Sequence, residues 1–183
     1  TVPIDLKKNT ARHQLNIPED ACVIGLMPGS RLQEIQRLMP LICECIARIK
    51  KEKPQARFIL PLADTISDAQ IAPFLKDDIR IVRQALYPTI KSCDAIICCS
   101  GTVTLEVALL QTPMVIIYKI AAMSFFMAKL LVKTPFIGLS NIVAGTEVSK
   151  EYIQEKANAD TVTKELLKIL NDPIYCDAKK AQL

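Results

Sequence analysis

The apolar residues of this chain gather into short, unbroken runs separated by longer stretches of helical spacing. Residues 22–27 (Cys22-Val-Ile-Gly-Leu-Met27) and 95–99 (Ala95-Ile-Ile-Cys-Cys99) contain no polar position. A run of this kind suits a strand covered on both faces, as in a parallel sheet. Residues 57–62, 79–82 and 113–118 carry weaker versions of the same signal. Between the first two runs, Ile35, Leu38, Met39, Ile42, Cys45, Ile46 and Ile49 recur at three- and four-residue steps and predict one face of a helix. Pro40 falls inside this stretch, so the helix either starts near it or kinks there. Shorter helices are expected within 67–75, at 88–92 and at 102–110. A strand at 113–118 followed by a helix at about 122–132 divides the most apolar part of the chain. Beyond Lys133 the pattern is less regular, and helices are expected at about 149–155, 160–171 and 172–180.

This alternation predicts an α/β fold: a Rossmann-like parallel sheet of five or six strands flanked by helices, with right-handed crossovers. Residues 1–20 read as a linker with a short helix near 8–15. Residues 21–148 read as the main domain and 149–183 as C-terminal helices. In such sheets ligands bind beyond the carboxyl ends of the strands, which directs attention to the loops that follow them.

Two of those loops carry candidate chemistry. The first, Met27-Pro28-Gly29-Ser30-Arg31, lies between a strand and a helix. Glycine permits close approach of the backbone, N–H groups at a helix start favour an anion, and Arg31 adds a forked donor suited to phosphate oxygens. An ordinary turn with a surface arginine would look the same. The second, Cys99-Ser100-Gly101-Thr102, has the same setting, and Ser100 or Thr102 could cap the helix that follows. Glu106 stands one turn further along that helix, where a carboxylate could accept from the two hydroxyls of a ribose while the helix start faces phosphates. Its alternative is a solvated helix residue.

Composition narrows the classes. Half of the 183 residues are hydrophobic, enough for one domain with a substantial core. A net charge of +4 without a dense basic stripe, 5% aromatics and no tryptophan argue against nucleic acid as a partner. The seven cysteines form no CxxC pair and sit mostly in apolar runs, as reduced buried thiols do. That points to the cytoplasm. With His13 as the only histidine, no Asp-x-Asp pair and no GxGxxG or GxxxxGK[ST] motif, neither a metal nor a cofactor is expected. Lys119 and Lys129 make a membrane span across 114–132 costly. An apolar helix lying on a membrane surface is left open, and with it a peripheral position on the inner membrane.

At the two glycine loops the sequence resembles a known family. Met27 through Arg31 with Glu34 and Ile35 resembles the LPGSR-x-x-E-I signature of the lipid-A-disaccharide synthases, which have a GT-B glycosyltransferase fold. Ser100 through Glu106, followed by Pro113, is similar to that family's SGT-x-x-LE segment. Leu131 through Thr134 and Asn141 through Gly145 resemble its LVKT and NLLAG stretches. The resemblance implies the C-terminal, donor-binding half of an enzyme that transfers 2,3-diacylglucosamine from UDP to lipid X, inverting the anomeric carbon. Gly29, Ser30 and Arg31 would then hold the diphosphate, Ser100, Gly101 and Thr102 would line the same pocket, and Glu106 would face the ribose. Asn141 matches a family asparagine needed for activity, and its alternative is a helix cap before Ile142. The partners implied are UDP-2,3-diacylglucosamine, lipid X and an N-terminal acceptor domain that supplies the general base. No catalytic residue is expected in this chain, which on this reading is a fragment or a donor half. Ser140 stands where the family has proline, and Thr146 where it has a longer polar or basic residue. Outside this family, another UDP-GlcNAc-using GT-B or epimerase-like enzyme, or a non-catalytic nucleotide-binding module, remains the alternative.

Overall fold

The computed structural model describes residues 1–75, 79–119 and 135–183. The helix expected at 122–132 and the Leu131–Thr134 motif lie outside these residues. The strands are β1 (Val23–Met27), β2 (Arg57–Pro61), β3 (Ile79–Val82), β4 (Ala95–Cys99), β5 (Met114–Tyr118) and β6 (Lys150–Ile153). They form one sheet in the order β3-β2-β1-β4-β5-β6. Every pairing is parallel. The helices are α1 (Lys8–Gln14), α2 (Leu32–Glu52), α3 (Asp68–Ile71), α4 (Leu86–Ser92), α5 (Val103–Leu109), α6 (Leu139–Ala144), α7 (Ala159–Asn171) and α8 (Pro173–Gln182). The expected α/β architecture of a parallel sheet flanked by helices is therefore what the chain forms.

Alternation along the strands sorts the core into two layers. Ile24 and Leu26 of β1, Ile97 and Cys99 of β4 and Val115 and Ile117 of β5 face the apolar stripe of α2 and Val162, Leu166 and Ile169 of α7. Val23 and Met27, Ile96 and Cys98, and Met114 and Ile116 face the other way, towards Ile90 of α4, Val107 of α5 and the leading residues Leu15 and Ile17. Because β1, β4 and all but the last residue of β5 are buried, these strands read as continuous apolar runs. Pro40 lies within α2 and neither starts nor ends it. It sits at an exposed position eight residues into the helix, where its lack of an N–H falls on the solvent side.

The region expected as a helix at 149–155 is instead β6, which pairs with β5 through Ile117↔Tyr152. Lys150, Glu151, Tyr152 and Ile153 are all only partly buried, as on an edge strand, so neither a buried run nor a clean alternation marks them. The free edge of β5 decides their conformation against a weak local preference. Two caps define the helices that follow. Asn158 accepts from Thr161 N–H at 3.1 Å and Asp172 from Tyr175 N–H at 3.0 Å. The Tyr175 hydroxyl then donates to Glu165 at 2.5 Å and joins α8 to α7.

The leading helix α1 packs against α4. Its Arg12 is 3% exposed and donates to the carbonyls of Ser92 (3.0 Å) and Glu19 and to Asp94 (2.9 Å). Asp94 also accepts from Lys8 and, at 2.7 Å, from the N–H of Val23, while its own N–H donates to the Val23 carbonyl at 2.8 Å. The amino ends of β1 and β4 are thus fastened to each other and to the leading segment by one carboxylate. Removing the guanidinium leaves buried acceptors without a donor, and Asp94 is only partly shielded from water. Arg12→Ala is therefore expected to cost about 2 kcal/mol of stability in a denaturant titration. A loss below about 0.5 kcal/mol, the ordinary range for a surface change, would show that α1 is not held by this arginine.

Candidate functional site

The sheet order places the two glycine loops side by side. β1 and β4 are neighbours, with Met27 opposite Cys98, so the turns that follow them emerge at the same edge. Here the chain crosses to one side of β1 for β2 and β3 and to the other for β4 to β6, which opens a crevice between the loops. A cavity of about 720 Å³ occupies it. Gly29, Ser30, Arg31 and Glu34 form one wall, and Ser100, Gly101, Thr102 and Glu106 form another. Leu62 and Ala63 after β2, and Gln84 to Tyr87 after β3, complete the lining. Seven of the eight residues singled out in the sequence therefore meet at one cavity, with Asn141 the exception.

The first loop differs from the expectation of free N–H groups. Gly29 takes φ +112°, a conformation side chains rarely adopt. A Cβ there would fall within the Glu34 carboxylate and 2.8 Å from the Glu34 Cβ. The reason is that Glu34, three residues into α2, folds back over the turn. Its Oε2 accepts from Ser30 N–H at 3.0 Å and from Arg31 N–H at 3.2 Å, as the acid of a capping box does. The two N–H groups expected to greet an anion are thus already bonded. The Arg31 side chain is 82% exposed, and Nη1 stands 3.4 Å from Glu34 Oε1. Thr65 supports the turn from the β2 side, its hydroxyl donating to the Ser30 carbonyl at 3.1 Å.

The second loop is open. Neither Ser100 nor Thr102 caps α5. Ser100 Oγ donates to the Ile137 carbonyl at 2.7 Å, and Thr102 makes no side-chain cap. Thr104 Oγ1 donates back to the Gly101 carbonyl at 2.8 Å. Among the described residues, no acceptor meets the N–H groups of Gly101, Thr102 or Val103. These are the orphan donors of a helix start, on residues that line the cavity. Half-buried Glu106 lies one turn below, with the Tyr87 hydroxyl 3.4 Å from its Oε1. The Glu106 charge pushes the Tyr87 pKa up. Cys99, which also lines the cavity, has its thiol pushed up to about 12 by burial and is a poor nucleophile there.

Asn141 lies apart from this wall. It is fully buried in α6, and its Nδ2 donates to the Ser149 carbonyl (2.7 Å) and to Glu151 Oε1 (2.8 Å). Its Oδ1 accepts from Ser149 N–H at 2.9 Å. It is not a helix cap either, since that position belongs to Gly138. Glu151 of β6 accepts in addition from Ile137 N–H (2.8 Å) and Gly138 N–H (2.9 Å). Gly138 approaches so closely that a Cβ would stand 2.5 Å from Ile116 Cδ1. Asn141 and Glu151 therefore fix the segment whose Ile137 carbonyl receives Ser100. Sequence reasoning missed Glu151 because its strand was read as a helix. It missed Tyr87 because a tyrosine beside Pro88 has no motif of its own. Among the described residues no group of three His, Cys, Asp or Glu side chains could hold a metal. Nor, among them, is any helix long and apolar enough to cross a membrane.

Comparison with known proteins adds relationship to this geometry. The family described as lipid-A-disaccharide synthetase matches residues 1–182. A lipid-A-disaccharide synthase of Trichlorobacter lovleyi is 40% identical over 185 residues, covering 100% of this chain and 48% of the relative. One from Geobacter sulfurreducens is 43% identical over 164 residues, covering 88% and 43%. The chain thus spans about half the length of these curated relatives. Among solved structures, the fold is similar to a sucrose-phosphate synthase from Thermosynechococcus elongatus (TM-score 0.65, 15% identity, 100% of this chain and 44% of that one). It is also similar to a UDP-GlcNAc 2-epimerase from Neisseria meningitidis bound to UDP-GlcNAc (TM-score 0.62, 16% identity, 94% and 43%).

The bonding of Asn141 has a measurable consequence. Asn141→Ala strips two backbone groups of Ser149 and one oxygen of Glu151 of their partner inside the protein. A loss of about 2–3 kcal/mol in denaturant unfolding is expected. An unchanged midpoint would mean that water replaces these bonds at no cost and that Asn141 does not hold the segment.

Proposed function

The chain belongs to the lipid-A-disaccharide synthase family, and from that premise we propose that it is the UDP-sugar-binding part of a glycosyltransferase of lipid A biosynthesis. The observation that carries this reading is the convergence of Arg31, the unbonded N–H groups at the start of α5 and the carboxylate of Glu106 on one cavity. An arginine and a row of backbone N–H groups match the charge and the oxygens of a diphosphate. A carboxylate one helical turn away, with Tyr87 beside it, matches the paired hydroxyls of a ribose. The volume is that of an ordinary small-ligand site.

In the proposed reaction the donor is UDP-2,3-diacylglucosamine and the acceptor is lipid X. The acceptor hydroxyl attacks the anomeric carbon from the face opposite the diphosphate and loses its proton to a general base. The bond from the anomeric carbon to the diphosphate oxygen breaks, and UDP leaves with that electron pair, so the anomeric centre inverts. The contribution of these residues is electrostatic. Fixed N–H dipoles and the Arg31 charge stabilise the negative charge that grows on the departing diphosphate. The base, on this proposal, belongs to an acceptor-binding half equivalent to the part of the relatives that this chain does not span. The reaction takes place in the cytoplasm, at the inner membrane face where two acylated sugars can be presented.

Calorimetric titration with UDP tests the reading. The chain should bind UDP with chelator present, since the sequence offers no Asp-x-Asp pair to carry a bridging cation. Arg31→Ala should weaken UDP by about tenfold or more, the value of a charge-assisted contact, and leave uridine nearly unchanged. Equal losses for both ligands, or binding that requires magnesium, would refute the assignment. For the ribose end, Glu106→Gln should reduce the preference for UDP over its 2′-deoxy counterpart by roughly fivefold, about one hydrogen bond. An unchanged preference would remove Glu106 from the site.

A further inference from the structure

The turn after β1 has the form of an anion seat, but the seat is filled by the protein itself. Ser30 N–H and Arg31 N–H converge on a single oxygen of Glu34 at 3.0 and 3.2 Å. The Glu34 side chain also lies flat against Gly29, which leaves no room for even a methyl group between them. A phosphate oxygen seeking these donors would have to expel a carboxylate already held by two charge-assisted bonds. What the turn offers to the cavity is therefore the guanidinium of Arg31, exposed and next to the second oxygen of the same carboxylate at 3.4 Å.

We propose that Glu34 is a positioning residue for the phosphate contact, its Oε2 locking the Gly29–Arg31 turn and its Oε1 aiming the Arg31 guanidinium at the diphosphate. The proposal rests on the UDP-site reading above. Three arrangements support it. Glu34 spans from α2 to the backbone of the turn, so the loop cannot shift without breaking both bonds. Thr65 Oγ1 holds the Ser30 carbonyl from the opposite side at 3.1 Å, and the turn is fixed between two elements. The second loop supplies the unbonded N–H groups that the first one lacks, at Gly101, Thr102 and Val103. The two loops thus divide the work, one providing backbone donors and the other a side-chain cation. An arginine that is 82% exposed would otherwise sample many rotamers, and a neighbouring carboxylate reduces the ordering needed when ligand arrives. The rival physical outcome is that the Glu34 charge repels the diphosphate and competes for the seat, and the sign of one measurement separates the two.

The experiment is calorimetric titration of UDP and of uridine into the chain and into Glu34→Ala, Glu34→Gln, Arg31→Ala and the Glu34→Ala/Arg31→Ala double variant, with the unfolding midpoint of each recorded. Glu34→Ala should weaken UDP by about tenfold, the scale of a charged contact, with uridine affinity unchanged and the midpoint lowered by the loss of two backbone bonds. Glu34→Gln keeps an acceptor oxygen for the two N–H groups but turns an NH2 donor towards Arg31, so it should restore the unfolding midpoint while UDP binding stays weakened. In the Arg31→Ala background the Glu34→Ala change should add nothing, because its effect passes through Arg31. Tighter UDP binding by Glu34→Ala overturns the proposal in favour of a competing carboxylate. So does an equal loss of uridine and UDP, or a double variant in which the two losses add. UDP binding that depends on Arg31 but not on Glu34 overturns this inference alone. A parent chain that does not bind UDP overturns it together with the donor-site reading.

Discussion

The pairing of β1 with β4 is the interaction on which the rest of this molecule depends. Had the chain placed β4 beside β3, the turns at Gly29 and Gly101 would stand several strands apart and no common cavity would exist. The pairing is possible because both strands are buried on both faces, so each supplies side chains to the two helical layers at once. Parallel strands need a crossover, and each one delivers the loop after a strand to the same edge of the sheet. The clustering of α2 and α5 at the cavity follows from that topology before any ligand is considered.

The two loops answer the same need by different means. Around Gly29 the local electrostatics are closed, with the N–H groups of Ser30 and Arg31 bonded to one oxygen of Glu34 and the Arg31 guanidinium beside the other. Around Gly101 they are open, because Ser100, which could have capped α5, donates to the Ile137 carbonyl and Thr102 makes no cap. An unbonded helix start costs stability and is retained where it has a use. Beneath them lies a second tier of polar contacts. Asn141, Ser149 and Glu151 form a connected, fully engaged group that carries its order to Ser100 through Ile137.

Much of this was legible in the sequence because β1 and β4 are buried on both faces and α2 has a single apolar stripe. The strands give unbroken apolar runs and the helix a three- and four-residue spacing, each bounded by a loop that fits it. The site was legible to the same extent, since glycine and arginine after a buried strand announce a loop that approaches something. What could not be read is what depends on tertiary partners. Lys150 to Ile153 is a strand only because the edge of β5 was free to receive it. Asn141 could be matched to a family residue by sequence, yet whether it faces ligand or packs inside rested on Ser149 and Glu151, eight and ten residues away. The Glu34 contact is local and falls on a motif already noticed. Its role was hidden because a capping acid and a phosphate would use the same N–H groups.

The carboxylate of Asp94 has one further implication, for motion rather than for binding. It fastens the amino ends of β1 and β4, at Val23 and at its own backbone, and buried Arg12 fastens it in turn. The opposite ends of the same strands finish in the loops that line the cavity. The sheet is therefore clamped at its amino edge and open, at the other, around Gly101, and its fluctuations have a direction. Opening starts at the loops and fades along the strands, so the amide of Val23 belongs among the last to exchange with solvent and those of Gly101 and Thr102 among the first.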